Sequence, residues 1–251
     1  MFDYYISDFK WQKLYSILQS LPGIRVKDES RTRRFVEGIF NLLRTGAQWR
    51  ELPPKYGRWR SVHKRYDHWC RKEIWSQVLS ELSKDYDGES VMIDATIVRA
   101  HPCASGYKKD SQKQEALGRS VGGFTTKIHA VVDALGLALR FRLTPGQRHE
   151  VTQARSLLAG FRDANILADR GYDSQQLVDY VENQGCVAVI PSRKNRKVQR
   201  EYDEHLYKER HLVEIFFNKI KHFRRVFSRF EKKAASYMGF LAFASTILWL
   251  R

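Results

Sequence analysis

The first ~85 residues carry apolar side chains at helical spacing. Trp11, Leu14, Leu18 and Leu21 form one run, which Pro22-Gly23 ends. Phe35, Val36, Ile39, Phe40 and Leu43 form a second, closed by Thr45-Gly46, with Gly46 in the usual C-terminal capping place. After a turn at Pro53-Pro54 and Gly57, Trp59, Val62, Tyr66 and Trp69 line one face of a third helix, and Arg60, Lys64 and Arg71 line another. Ile74, Trp75, Val78, Leu79 and Leu82 predict a fourth. From Glu89 the pattern shifts to short apolar runs. Val91-Met92-Ile93 predicts a strand, and residues 125–132 and 137–143 flank Asp133-Ala134-Leu135-Gly136 as a hairpin. A helix over 151–161, a strand at 166–168, a helix over 175–183, a strand at 187–190 and a helix from Tyr207 follow. The order implies a mixed α/β sheet with covering helices, preceded by a small all-α module, with the division at 1–87 and 88–251. Ser105 to Gly123 and the basic run from Ser192 to Arg200 read as exposed loops.

Charge narrows the class of partner. Lys and Arg number 44 against 28 Asp and Glu, giving +16 over 251 residues, which favours a polyanion and nucleic acid first. The basic residues are interleaved with Trp and Tyr in more than one region, so an anionic membrane surface fits less well. No window approaches the ~20 apolar residues of a membrane span, and Phe2 to Ile6 is too short for a signal peptide. Cys70, Cys103 and Cys186 show no paired spacing, which points to a reducing, cytoplasmic setting without a disulfide framework or zinc ribbon. No Gly-x-Ser-x-Gly elbow and no phosphate-binding Gly-Lys loop is present, which disfavours serine hydrolases and nucleotide-driven motors.

The candidate chemistry lies on carboxylates. Tyr207, Arg210, Glu214 and Lys221 fall within roughly 60° of one another on an ideal helix, opposite Leu212, Phe216, Ile220, Phe223 and Phe227. Asp94 and Asp169 each follow a predicted strand, where α/β sheets usually place their sites. If those strands are parallel neighbours, Asp94, Asp169 and Glu214 converge as three hard oxygen donors suited to Mg²⁺ or Mn²⁺. Two such ions would serve an in-line phosphoryl displacement. Asp173 reads as an N-cap rather than a ligand, Glu209 lies off the stripe, and His129 reads as structural. His149 sits in a loop from which it could approach the site. Arg210 and Lys221 could equally pair with Glu214. The helix with the basic stripe reads either as a DNA-binding module or as an ordinary bundle with a solvated face.

These residues resemble the DDE transposases of small bacterial insertion sequences, specifically the insertion-sequence family five group. The resemblance rests on Met92-Ile93-Asp94-Ala95-Thr96, Gly122 to His129, Leu143 to His149 and Asp169 to Ser174. It rests most specifically on the spaced set Tyr207, Arg210, Glu214 and Lys221, and within the helical region on Thr45 to Pro53. The chain departs from that family at Glu73, where a small residue or Gly is expected. The resemblance implies an RNase H-like catalytic domain, with Asp94, Asp169 and Glu214 as catalytic carboxylates binding Mg²⁺, or Mn²⁺ in its place. It implies cleavage at element ends and strand transfer into target DNA, on double-stranded DNA held by a homodimer. Tyr207, Arg210 and Lys221, helped by Arg193, Lys194, Arg196 and Lys197, would meet phosphates, while the helix holding Arg60, Lys64 and Arg65 would read the ends. A catalytically silent DNA-binding regulator and a metal-dependent nuclease without joining activity are the alternatives.

Overall fold

The computed structural model describes residues 5–105, 115–120 and 123–250. Most of the stretch read as a loop between Ser105 and Gly123 (106–114 and 121–122) lies outside the described residues. The chain begins with helices α1 (Asp8–Ser20), α2 (Glu29–Thr45), α3 (Trp59–Arg71) and α4 (Ile74–Leu82). It continues with β1 (Ser90–Ala100), β2 (Gly118–Ser120), β3 (Gly123–Asp133), β4 (Ala138–Pro145), α5 (Val151–Leu158) and β5 (Asn165–Ala168). Then come α6 (Gln175–Glu182), β6 (Val187–Val189), α7 (Glu204–Tyr207), α8 (His211–Lys221), α9 (Arg224–Phe227), β7 (Ser228–Arg229) and α10 (Ala234–Trp249).

These elements form two compact units, both discontinuous: 1–82 with 99–115 and 220–251, and 83–98 with 116–219. A single cut after residue 87 therefore does not separate them. The reason is α10, whose 16 residues are apolar on every side and so must be enclosed. It packs on α3 and α4. Phe240 lies 4.6 Å from the Tyr66 ring, Phe243 4.2 Å from Trp75, and Tyr66 donates to the Ser236 carbonyl at 2.7 Å. A Cβ on Gly239 would fall 2.5 Å from Cys70 Sγ, so only glycine permits this approach of α10 to α3. No helix among the described residues is long and apolar enough to cross a membrane. Within this helical unit Asp28 caps α2 by accepting from the Arg31 N–H, and Gly46 ends it at φ +71°, as its sequence position predicts. Glu73 joins α3 to α4 at φ +54°, a left-handed conformation at the place where a small residue or glycine was expected.

The sheet unit has the mixed α/β architecture that the sequence implies, with strand order β2-β3-β1-β5-β6 and β4 antiparallel on β3. β1 runs parallel to β5 and β5 parallel to β6. The β3–β4 connection is the expected tight turn: Asp133 Oδ1 accepts from the Leu135 and Leu137 N–H groups, and Gly136 takes φ +69°. α5 covers β3 and β4, α6 packs on α5 and β6, and α8 buries Val213, Phe216 and Phe217, with Phe216 stacked 5.9 Å from Phe141.

Candidate active site at the end of the β1–β5 ladder

Backbone register sets the first two carboxylates. The β1–β5 pairing runs from Ser90↔Asn165 to Ile93↔Ala168, and Asp94 and Asp169 are the residues that follow the last pair. Parallel neighbours lie ~4.8 Å apart, so the two carboxylates leave the ladder side by side. Asp94 lies within β1, which runs on to Ala100 instead of ending as predicted. Asp169 turns the chain into a 3-10 turn at Arg170–Tyr172, its Oδ1 accepting from the Gly171 N–H at 2.8 Å. A Cβ on Gly171 would sit 2.9 Å from that oxygen, which accounts for the glycine.

The third carboxylate arrives differently from expectation. The stripe is not one helix: α7, capped by Asp203 through the His205 and Leu206 N–H groups, gives way to a 3-10 turn at Lys208–Arg210 before α8 begins. Arg210 then bridges the carboxylates, donating to Asp94 Oδ2 at 3.2 Å and pairing with Glu214. Among the described residues no three His, Cys, Asp or Glu side chains are placed to hold one metal ion. In the free protein Arg210 stands between the aspartate pair and Glu214, its guanidinium a fork of donors that suits two carboxylates. Glu214 keeps 54% of its side chain exposed.

The electrostatics fit a hard cation at the aspartate pair. Asp94 is pushed up to about 6, chiefly by burial and to a lesser degree by Asp169 and Glu150, against the Ala95 N–H and Arg210, which pull it down. A carboxylate held high by burial, with a second carboxylate beside it, is suited to Mg²⁺ or Mn²⁺.

Several contributors escaped the sequence reading. Glu150, next to the exposed His149, pairs with Lys127 at 2.9 Å and is one of the charges that act on Asp94. Tyr172 is fully buried, and its hydroxyl has no hydrogen-bond partner among the described residues. Burial and then Asp94, Glu150 and Asp169 hold that phenol far above its ordinary range. Asp173 is not an N-cap: Ser174 holds that position. Asp173 accepts from the Arg193 N–H at 2.7 Å and pairs with Arg196 and Arg200. Burial alone would raise Asp173, but that N–H and the Arg200 and Arg196 guanidinia outweigh it and hold it below the usual carboxylate range. Arg193 also donates to the Arg170 and Gly171 carbonyls, so the basic run is clamped to the turn that follows Asp169. Lys194 and Lys197 stay exposed.

The other named residues divide in the same way. Tyr207 is half-buried, with Arg210 5.9 Å from its ring centre. Glu209 lines a separate hollow with Glu89 and Asn165. His129 is structural, bonded to Thr144 Oγ1 at 2.8 Å and pushed down to about 4 by burial, then by Lys127 and Arg142. Lys221 ends α8 half-buried, within the helical unit, its pKa lowered by burial. On α3, Arg60 and Lys64 are exposed, whereas Arg65 is taken up internally. It stacks 4.4 Å over Phe35 and 5.2 Å over Trp69 and donates to Thr32.

Comparison with known proteins bears on what this arrangement does. Residues 86–247 match the family described as "Transposase DDE domain", and residues 6–79 match "Putative transposase of IS4/5 family". The "Putative transposase for insertion sequence element IS6501" of Brucella ovis is 43% identical over 129 residues, 51% of this chain and 99% of that protein. The "Putative transposase for insertion sequence element IS402" of Burkholderia cepacia is 32% identical over 128 residues, 46% of this chain and 58% of that one. Among solved structures, a piggyBac transposase synaptic complex with hairpin DNA aligns at TM-score 0.41 and 12% identity over 77% of this chain, which spans about half (50%) of that one. A pre-cleavage Mos1 transpososome aligns at TM-score 0.30 and 12% identity, over 92% and 80% of the two chains.

Proposed function

Since the chain belongs to the transposase DDE domain family and is a DNA transposase, we propose that Asp94, Asp169 and Glu214 are its catalytic carboxylates. The reaction is cleavage of double-stranded DNA at the ends of an insertion element and joining of those ends to target DNA. The observation that carries the assignment is the shared register of Asp94 and Asp169 at the end of the β1–β5 ladder, with Arg210 tying Glu214 to Asp94.

DDE transposases use a divalent metal, and here Asp94, Asp169 and Glu214 would hold Mg²⁺, or Mn²⁺ in its place. Bound there, it would supply Lewis-acid stabilisation of the phosphoryl oxygens and ease deprotonation of the attacking water or 3′-hydroxyl. The remaining work belongs to side chains. Arg210 compensates two carboxylates in the free protein, and its guanidinium suits a DNA phosphate equally well. Tyr207, Lys221, Arg193, Lys194, Arg196 and Lys197 contact the phosphate backbone, giving salt-sensitive affinity without reading sequence. Arg60 and Lys64 of α3 meet the element ends, Arg65 supports their helix from inside, and the protein works as a homodimer on paired ends.

The test uses labelled oligonucleotides carrying the element's terminal inverted repeats, with Mg²⁺ or Mn²⁺. The wild type should nick and join, while Asp94→Asn, Asp169→Asn and Glu214→Gln should bind the ends and do neither. Equal activity in Asp94→Asn and wild type would sink the assignment. Nicked products without joined ones would make the protein a nuclease, and binding without chemistry in the wild type would make it a regulator.

A further inference from the structure

Tyr172 closes the 3-10 turn that Asp169 opens, its own N–H donating to the Asp169 carbonyl at 3.0 Å. The backbone on both sides of it is fixed. Arg193 grips the Arg170 and Gly171 carbonyls, and the next residue, Asp173, accepts from the Arg193 N–H and pairs with Arg196 and Arg200. The turn also packs on α5, the helix that Glu150 precedes. The ring is therefore held in place and closed off from solvent, with 0% of the residue exposed.

A phenylalanine would fill that space without bringing a polar atom into it. The Tyr172 hydroxyl has no hydrogen-bond partner among the described residues, and a buried donor left unpaired costs free energy. Asp94, Glu150 and Asp169 are the charges that act on it, in that order, and all three favour the protonated phenol. The hydroxyl is thus a neutral donor among carboxylates. Glu150 already has Lys127 at 2.9 Å, and Asp169 has the Gly171 N–H at 2.8 Å. Asp94 relies on the Ala95 N–H and on Arg210.

Arg210 is ill-suited to hold Asp94 through the reaction. A guanidinium against Asp94 Oδ2 opposes a divalent cation at the same carboxylate by like charge, and that guanidinium suits a phosphate equally well. A neutral donor orients a carboxylate ligand without the repulsion. We propose that the Tyr172 hydroxyl is a positioning group for Asp94, donating to its carboxylate once Arg210 gives it up and fixing its orientation for a divalent cation. The proposal rests on the assignment of Asp94, Asp169 and Glu214 above, and adds to it a residue that touches neither the DNA nor the cation.

The experiment sets Tyr172→Phe, which removes one oxygen and keeps the ring, against wild type in three measurements on the full chain. In chelator, where the hydroxyl is unpaired, thermal melts should place the variant level with wild type or above it. Free Mn²⁺ counted by electron paramagnetic resonance should show the variant's affinity weakened by about 10–100-fold. In strand transfer the Mn²⁺ concentration for half-maximal rate should rise by the same factor, while the rate at saturating Mn²⁺ stays within about threefold of wild type. A variant that melts below wild type in chelator reveals a hydroxyl bonded within the fold and overturns the proposal. Unchanged Mn²⁺ affinity overturns it too, even where strand transfer falls, and both results leave the catalytic carboxylates standing. Weakened Mn²⁺ binding in the variant, when neither protein nicks or joins DNA, supports the positioning role and removes the chemistry instead. A wild type that binds no Mn²⁺, or binds it no better than Asp94→Asn, overturns both.

Discussion

Asp94 should weaken the fold that holds it, and Asp94→Asn measures by how much. Its folded-state pKa is about 6 against an ordinary 3.8, chiefly because burial penalises the charge, with Asp169 and Glu150 adding to the effect. At 1.36 kcal/mol for each tenfold change in proton affinity, ionising it in the native protein costs about 3 kcal/mol more than in the unfolded chain. The sign follows from linkage: the folded state binds this proton more tightly, so the penalty is absent below pH 3.8. It grows between 3.8 and about 6 and is complete above that. Asparagine has the same shape and no charge to ionise. In a metal-free buffer with chelator, Asp94→Asn should match the wild type near pH 4 and exceed it by about 3 kcal/mol at pH 7.5. At ~2–4 °C per kcal/mol for a chain of this size, the melting temperature should rise by roughly 6–12 °C at the higher pH. Thermal melts followed by circular dichroism at pH 4 and 7.5 read the difference directly. A variant less stable than wild type at both pH values would refute the reasoning and make the Arg210–Asp94 pair a net structural contact.

Other outcomes follow from the same geometry. Removing one member of the buried Arg225–Glu231 pair, as in Glu231→Ala, should destabilise the protein by about 3–5 kcal/mol in urea denaturation, whereas Arg60→Ala on the surface of α3 should change stability by no more than ~0.5 kcal/mol. Glu73 occupies φ +54°, so Glu73→Gly should stabilise by roughly 0.5–1 kcal/mol in the same assay, and no gain would mean its side chain compensates the strain. Asp173→Ala should release the basic segment from the turn after Asp169, and limited trypsin digestion should cut at Lys194 and Lys197 several-fold faster, with global stability little changed. Arg210→Ala leaves Asp94 and Glu214 without the guanidinium they share, and strand transfer should fall by at least ~100-fold.

The parts of this fold that were legible in the sequence are those with local causes. α2 is bounded by Asp28 and Gly46 because a cap and a left-handed glycine act within one turn. Asp94 and Asp169 stood out because apolar triplets precede them, and parallel pairing then aligned them. Where the cause is distant, periodicity was silent. Nothing in Arg65 announces that Phe35 and Trp69 will hold its guanidinium, and nothing in Asp173 announces three arginines some twenty residues later. The stripe from Tyr207 to Glu214 has helical spacing whether or not a 3-10 turn interrupts it, so the break at Lys208–Arg210 left no mark. β1 outran its prediction because Ala95, Thr96, Ile97 and Val98 show no alternation that would extend the apolar run.

α10 also imposes an order of events on the ribosome. The aromatic core of α2, α3 and α4 is completed by Phe240 and Phe243, which are synthesised ~150 residues after α4, about ten to thirty seconds later at ordinary elongation rates. Until then Trp75 and Tyr66 lack their α10 partners, and the N-terminal helices wait as an unfinished bundle. Folding of the unit that carries Arg60 and Lys64 thereby waits on a helix that lies ~150 residues further along the chain. A nascent chain acquires its finished helical unit only once the whole carboxylate-bearing segment has been made.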